Sequence, residues 1–345
     1  MFRTINIRAL AVAALTTLIL VLMIVAGSRN LQNFDAALVG YLFATIFAVF
    51  GITYRYAVWL QRPPTRLYWR RGWQLLFSRH LVGGVKAIIR SITTDYIAQR
   101  FIARRSWPRW AVHFLLAWGC IIAFAVTFPL VFGWIHFETL PGSPIQYRTF
   151  IFGFPAMRFY VQSVLAWNIF HALDWAAVMV VAGVVFAVRR RLVDPGLLAT
   201  QTFSRDWLPL IILFAVSITG LLLTASAMWM KGAHYSFLAL THEITVIFFL
   251  IWLPFGKFFH IFQRPAQLGV SVYKQAGSDL PAARCARCGT EYASTLHVND
   301  LKQVTKELGM DYEYSSNDHH LDLCPACKRA RYAESHMQAK RGQAF

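Results

Sequence analysis

Long apolar runs alternate with short polar connections along most of this chain. A helix needs about 20 apolar residues to cross the roughly 30 Å hydrocarbon core of a bilayer. The pattern therefore predicts an all-α, polytopic transmembrane helix bundle. The six predicted spans are Ala9–Gly27, Ala36–Leu60, Trp110–Trp134, Val161–Val188, Trp207–Met228 and Ser236–Phe262. The first run lacks a small-x-small cleavage site and is long for a signal peptide, so we expect it to remain as an anchor.

The polar connections divide the chain into four predicted segments. These are two N-terminal spans (1–62), a cytoplasmic amphipathic segment (63–109), a four-helix core (110–264) and a polar C-terminal module (265–345). Within the second segment, Leu81–Arg105 has helical periodicity with basic residues among apolar ones, so we expect it on the inner membrane surface with its apolar side in the interface. A plain connector is favoured there over a docking surface for a partner subunit.

Composition and charge agree with a membrane protein. Only 14% of the 345 residues are charged, against about 25% in soluble chains. The net charge of +18 comes largely from basic residues between Arg55 and Arg109 and from Arg189, Arg190 and Arg191, whereas the alternate loops carry little charge. The positive-inside rule therefore places both termini in the cytoplasm, at the inner membrane of a bacterial or archaeal cell. No basic stretch accompanies a nucleic-acid-binding motif, which argues against such a partner.

Four histidines fall within the predicted spans, where ionisable groups usually mark function. They are His113, His171, His242 and His260. The last two lie 18 residues apart, which is five helical turns, so a continuous sixth helix would present both on one face about 27 Å apart. This spacing suits two haems at different depths, each held by two imidazoles and closed to other ligands, as in electron transfer.

Depth suggests how the histidines pair. His113 and His260 lie near the inner surface, and His242 and His171 near the outer one, with His136 as the second choice for the fourth ligand. Asp174 shares a face with His171 and could orient its ring, accept a proton from a quinol or cap a water-filled gap. A transporter with a histidine proton relay is the rival interpretation.

The sequence around these positions has several short motifs in a fixed order. They are His113-Phe-Leu-Leu-Ala-Trp-Gly-Cys, Leu173-Asp-Trp, Ile218-Thr-Gly-Leu, Thr241-His-Glu and Pro254-Phe-Gly-Lys-Phe-Phe-His. Over about residues 80–265 they resemble the nitrate reductase γ-subunit type of membrane cytochrome b, a family that includes the membrane subunit of heterodisulfide reductase.

This resemblance implies a subunit with two haems b that exchanges electrons between the membrane quinone pool and a cytoplasmic redox partner with iron–sulfur, molybdenum or flavin centres. It assigns ligand roles to His113, His242 and His260. The fourth ligand does not carry over, because nitrate reductase members place two histidines on an early helix where this chain has one. A protein with a single haem therefore remains open.

The C-terminal module contains two C-x-x-C pairs, Cys285 with Cys288 and Cys324 with Cys327. Such a set is a strong signal for a metal, and a cytoplasmic location argues against disulfides. Four thiolates bind zinc or iron. We favour a zinc-ribbon-like structural site, with a rubredoxin-type iron or an iron–sulfur cluster as alternatives.

Together these features predict an electron-transfer subunit of a respiratory oxidoreductase complex, oxidising quinol or reducing quinone near the outer haem. The chain has no Gly-rich phosphate loop, so the partner would supply the terminal chemistry, and whether the chain itself is an enzyme stays open. The alternatives are a non-redox membrane anchor or transporter, and an assembly scaffold for a membrane complex.

Overall fold

The computed structural model of the protein describes residues 5–310, 312–315 and 318–340. Its helices, in chain order, are α1 (Ile7–Gly27), α2 (Val39–Leu60), α3 (Pro63–Leu76), α4 (Leu81–Ser91), α5 (Arg100–Ala103), α6 (Trp107–Val131), α7 (Val164–Phe170), α8 (Ala172–Val193), α9 (Pro195–Leu198), α10 (Leu208–Met228), α11 (Tyr235–Trp252), α12 (Phe259–Gln263), α13 (Gln267–Ser278), α14 (Thr295–Glu307) and α15 (Pro325–Lys340). The strands are β1 (Ile135–Leu140), β2 (Ser143–Ile151), β3 (Phe154–Tyr160), β4 (Ala282–Arg284), β5 (Glu291–Ser294), β6 (Glu313–Ser315) and β7 (Asp318–His319).

The predicted helical membrane architecture is confirmed. Six helical stretches of the described residues are long and apolar enough to cross a bilayer, and the four cysteines of the C-terminal module form a cluster. The spans are Ile7–Gly27, Ala36–Leu60, Trp107–Val131, Ala172–Val193, Phe203–Met228 and Tyr235–Trp252.

Contacts group the chain into two compact units that differ from the four predicted segments. One unit comprises Met1–Val58 and Gln99–Phe262, and the other comprises Trp59–Ala98 and Gln263–Phe345. The amphipathic segment is therefore divided, because α3 and α4 pack on α13 of the C-terminal segment. We call the first unit the membrane bundle and the second the polar unit.

Small residues let two helices of the membrane bundle approach closely. A Cβ added to Gly119 of α6 would lie 2.7 Å from Val180 Cγ2 and 2.9 Å from the carbonyl oxygen of Ala176. One added to Gly183 of α8 would lie 2.7 Å from Leu116 Cγ. Because lipid provides little hydrophobic drive between helices, such close packing carries much of their association. Further contacts join α8 to α10 and α10 to α11.

The sixth apolar run is not one helix. It ends as α11 at Trp252, and His260 lies on α12 after a turn, so the predicted continuous helix Ser236–Phe262 is wrong. Pro254 stops the helix because its nitrogen cannot donate a hydrogen bond and its ring clashes with the preceding turn. Arg55 of α2 donates a hydrogen bond to the Pro254 carbonyl at 2.5 Å, which satisfies an acceptor at the break. The five-turn spacing between the two histidines therefore does not hold.

The fourth apolar run forms a helix whose two ends both differ from the predicted ones. The long helix α8 runs from Ala172 to Val193 after the separate short helix α7, so the predicted bounds Val161–Val188 are wrong, and His171 is the junction between the helices. Before α7 the chain forms an antiparallel sheet in the order β1-β2-β3. This sheet did not emerge from the apolar pattern, because its short strands are only partly buried.

The predicted helix over Leu81–Arg105 is also interrupted. α4 ends at Ser91 and is followed by a π-helical turn, in which Ser91 donates to Asp95 at 3.1 Å. Gln99 then takes a left-handed conformation with φ 50° and ψ 37°, which ends the turn before α5. Left-handed backbone is uncommon outside glycine, so this position is a defined change of direction.

The polar unit is held by a buried carboxylate. Asp300 of α14 is 3% exposed. Its side chain accepts hydrogen bonds from Arg71 of α3 at 2.9 Å and from the Tyr273 hydroxyl of α13 at 2.9 Å. Burial, together with that hydrogen bond to Asp300, raises the pKa of Tyr273. Near this network Gly72 meets Gly269, where an added Cβ would lie 3.0 Å from the other Cα.

Candidate functional site

His113 lies on the first turns of α6 and is held by a buried amide. Its Nδ1 is 2.8 Å from Oε1 of Gln99, whose residue is 4% exposed. The left-handed backbone of Gln99 brings this side chain back toward α6. Non-glycine residues in that conformation cost about 1–3 kcal/mol and persist where the surrounding structure requires them.

A cavity of about 720 Å³ opens beside His113. Its apolar walls include Val112, Leu116 and Phe186. Its charged lining residues are Arg109, Arg189, Arg190, Arg191, Lys257, Asp194 and Asp206. Five cations against two carboxylates, next to apolar walls, suit a ligand with an apolar body and acidic groups, which is the character of haem with its two propionates.

His260 lies after the turn that ends α11. Its Nδ1 is 2.6 Å from the carbonyl oxygen of Lys257. The Lys257 ammonium lies 3.2 Å from Asp206, and both residues line the cavity. The ring of His260 is exposed and is not among the lining residues. The structure thus brings the backbone turn of His260, but not its ring, to the cavity at His113.

His242, on α11, is held against α10. Its Nδ1 lies 2.9 Å from Thr219 Oγ1, and that hydroxyl donates to the Ala215 carbonyl at 2.7 Å, so it accepts from the ring. A Cβ added to Gly220 would lie 3.3 Å from the ring carbon Cε1. The neighbouring Glu243 instead faces α2, because adjacent residues of a helix point to different faces.

His171 is held by a carboxylate. Its Nδ1 is 2.8 Å from Asp174 Oδ2, and the other carboxylate oxygen accepts a hydrogen bond from Thr224 at 2.7 Å. Both oxygens of Asp174 are therefore engaged, which favours the orienting role among the three predicted for it.

His136 has a different environment. It lies on β1, where its ring stacks on Phe150 with centroids 5.0 Å apart. Both of its ring nitrogens are buried and lack a hydrogen-bond partner within the described chain, although Nε2 lies 3.3 Å from a Glu138 oxygen. Nothing in this arrangement fixes which nitrogen carries the proton.

One feature is common to the four predicted ligands. Each presents Nδ1 to an oxygen acceptor: an amide for His113, a carboxylate for His171, a hydroxyl for His242 and a backbone carbonyl for His260. An acceptor at Nδ1 places the proton there and the lone pair on Nε2, which is how metal-ligating histidines are oriented. The sequence contained no signal for Gln99, whereas Thr219 lies in the motif that begins at Ile218.

Aromatic contacts set the relative heights of two of these rings. Phe124 of α6 stacks on Phe249 of α11 with centroids 5.9 Å apart, so these residues share a level. At 1.5 Å per residue, His113 lies about 16.5 Å to one side of this level and His242 about 10.5 Å to the other. Two continuous helices therefore separate these rings by about 27 Å along the bundle.

The four cysteines of the polar unit are arranged as a metal site. Their sulfurs all lie within 4.8 Å of one another, and Cys288 and Cys324 are 3.7 Å apart. A tetrahedral ion with 2.3 Å bonds to sulfur requires sulfur–sulfur distances of about 3.8 Å. The Cys324 amide donates to the Cys285 sulfur at 3.2 Å, as backbone amides do around bound thiolates.

The thiols also differ in acidity. The Cys324 amide lowers the pKa of Cys285 to about 6, and Thr290 lowers that of Cys288. Burial raises the pKa of Cys327 to about 12. A bound cation requires all four sulfurs as thiolates, and its charge favours the deprotonated form at each of them.

Comparison with known proteins gives two curated relatives, each a subunit of a dihydromethanophenazine:CoB–CoM heterodisulfide reductase. The chain is 24% identical over 262 residues to the relative from Methanosarcina acetivorans, covering 73% of this chain and 87% of the relative. It is 24% identical over 212 residues to the relative from Methanosarcina thermophila, covering 57% and 71%. No family model matches the chain. No solved structure matches it significantly.

The six apolar helices and both relatives support a multi-pass membrane subunit of a redox complex. The resemblance drawn from the sequence, to the membrane cytochromes b of the nitrate reductase γ-subunit type, is confirmed by these two matches.

Proposed function

We propose that the chain is a subunit with two haems b that carries electrons between a lipid-soluble quinone and a cytoplasmic redox partner. The observation that carries this proposal is the shared orientation of the four histidines, each with an oxygen at Nδ1. In a proton relay both ring nitrogens must exchange protons, whereas a ligand histidine needs one nitrogen held and the other available to the metal. Bound haem would supply a one-electron carrier at each level.

At the inner level, His113 and His260 would be the ligands. The cations around the cavity, with Arg109 on the same helix as His113, support placing the propionates there. Because the ring of His260 lies outside the cavity lining, this pairing requires the α12 turn to close toward His113 when haem is bound. The basic loops support placing this level, and both termini, on the cytoplasmic side.

At the outer level, His242 and His171 would be the ligands. The carboxylate at His171 supports it over His136, since carboxylate–histidine pairs commonly orient metal ligands. His136 stays the competing ligand because its Nδ1 is buried and has no hydrogen-bond partner among the described residues. Quinone chemistry is proposed near this level. The name of the two relatives pairs dihydromethanophenazine with the CoB–CoM heterodisulfide, and we propose a comparable link between a reduced lipid-soluble carrier and a partner protein here.

The four-cysteine cluster would hold a structural zinc ion, because closed four-thiolate sites are usually structural. Its cytoplasmic placement also suits contact with the redox partner that supplies terminal chemistry. Elemental analysis of the purified protein decides between zinc and iron: one zinc per chain is expected, and one iron with thiolate-to-iron absorption would overturn the assignment.

A pyridine haemochrome assay on the purified, intact protein tests the central proposal. Two haems b per chain are expected, and their absence from protein that retains its tail metal would reject it. The variants His171→Ala and His136→Ala then identify the fourth ligand. Loss of one haem is expected only in His171→Ala, and loss only in His136→Ala would transfer the role.

A further inference from the structure

The polar unit exposes apolar side chains along one face of α3 and along one face of α4, and we call these two faces together the strip. Trp69, Trp73 and Phe77 follow one another at four-residue steps on α3, and their rings are in contact. Val82, Val85 and Ile89 are the exposed apolar residues that share one face of α4. Phe77 is 76% exposed and Val82 is 67% exposed. Contiguous exposed apolar surface of this kind marks an interaction site.

The other faces of these helices are already occupied. Tyr68 and Gly72 of α3 and Gly84 of α4 face α13, where Tyr68 packs edge-on against Tyr273 at 5.1 Å. The strip is therefore distinct from the residues that pack on α13, since Tyr68, Gly72 and Gly84 lie on other faces of the two helices.

Basic residues border the strip. Arg70 precedes Trp73 by three residues and Lys86 follows Val82 by four, so each lies beside the strip on its helix. Residues 36–94 contain no Asp or Glu. Arg62, Lys86 and Arg90 form no ion pair within the described residues, whereas Arg70 interacts electrostatically with Glu307 without an ion pair. An apolar face with aromatic residues and a Lys/Arg border is the composition of helices that lie in a membrane interface.

Chain continuity points to the same surface. α3 begins at Pro63, directly after α2 ends at Leu60, so this helix starts where a membrane span ends. We propose that the strip on α3 and α4 lies in the leaflet facing the basic loops, with Arg70 and Lys86 at anionic phospholipid headgroups. The polar unit then has a second attachment to the membrane besides its covalent connections. This inference relies on the proposed orientation for the leaflet, and not on haem.

A photocrosslinking amino acid, p-benzoylphenylalanine, tests the strip in the full chain. It replaces Trp73, Val82 or, as the matched control, the exposed polar Gln74. Each variant is placed in proteoliposomes of equal phosphatidylglycerol and phosphatidylcholine, and separately irradiated in native membranes with its partners. Retention of the metal at the four-cysteine cluster shows that the polar unit is folded in each variant.

The expected result is a phospholipid mass adduct at positions 73 and 82, several-fold above position 74, in both preparations. Lys86→Gln with Arg90→Gln should reduce the share of phosphatidylglycerol in the adducts. Protein adducts at 73 and 82 in native membranes would instead identify a subunit interface and overturn the proposal. Equal lipid labelling at all three positions would also overturn it.

Discussion

In the membrane bundle the polar side chains converge on imidazole rings, as Gln99 does on His113 and Thr219 does on His242. In the polar unit the buried carboxylate of Asp300 instead ties Arg71 and Tyr273 together across three helices. A polar group between apolar helices has few partners and little water, so a matched pair there indicates a site. Outside the membrane the same kinds of bonds serve to hold a fold. Residue type alone therefore does not distinguish a ligand from a structural residue.

The strongest test of this comparison removes one cysteine of the four-cysteine cluster in the polar unit. In Cys324→Ala we expect complete loss of the metal and loss of the local fold, because structural zinc contributes about 10–16 kcal/mol in small domains. Elemental analysis and limited proteolysis of residues 263–340 would measure this loss, with the haem spectrum unchanged. Cys120→Ala is the control and should retain the metal. Loss of haem in Cys324→Ala would show that the two units are not independent.

The converse test removes one of the proposed haem-ligating imidazoles from the membrane bundle. His113→Ala should lose one of the two haems and about half of the absorbance in a reduced-minus-oxidised spectrum, since a low-spin haem requires both axial ligands. His336→Ala, in the exposed tail helix α15, should leave the spectrum unchanged. An unchanged spectrum in His113→Ala would contradict the proposed inner haem site and would leave the proposed four-cysteine metal site unaffected.

A smaller effect is expected at the buried carboxylate. Asp300→Ala leaves the Tyr273 hydroxyl and the Arg71 guanidinium without their acceptor, which should destabilise the polar unit by about 2 kcal/mol. Asp300→Asn keeps the shape and part of the bonding, so it should cost less. The stability of the polar unit in both variants can be measured as the temperature at which the four-cysteine cluster releases its metal. Equal stability of Asp300→Ala and the parent would contradict a structural role for this network.

The smallest expected effect is at Gln99. Removing the acceptor at His113 Nδ1 in Gln99→Leu should make the imidazole a weaker donor to iron and raise the reduction potential of the inner haem. Gln99→Glu should lower it, because a carboxylate draws the Nδ1 proton more strongly. Potentiometric titration of the two proposed haems would measure these shifts. Shifts of the same sign in both variants would contradict the orienting role.

Much of the fold could be read from apolar run lengths. Crossing a bilayer demands long uninterrupted helices, so the six spans were predictable. The break at Pro254 was not, because prolines are tolerated in many membrane helices, and only the structure shows that α11 ends at Trp252 and that α12 begins at Phe259. The β1–β3 sheet was missed for a related reason: its strands are short, and they alternate too weakly to stand out beside the spans.

The candidate sites were also predictable only in part: the sequence identified the candidate ligands but not the side chains that orient them. The two C-x-x-C pairs and the four histidines at the ends of apolar runs could be identified from the sequence, because few residue types can act as metal ligands. The partners that orient the rings were not visible: Gln99 is 14 residues from His113, and Thr219 is 23 residues from His242.

By itself the amino-acid order determined the class of molecule, since hydrophobic length and thiol spacing are local properties that bilayers and metals select directly. Tertiary structure alone decided which nitrogen of each imidazole is held, which helices carry the polar unit and where the sixth span ends. Those outcomes depend on side chains that meet across long stretches of chain, and hydrogen bonds of this kind leave no periodic trace in a sequence.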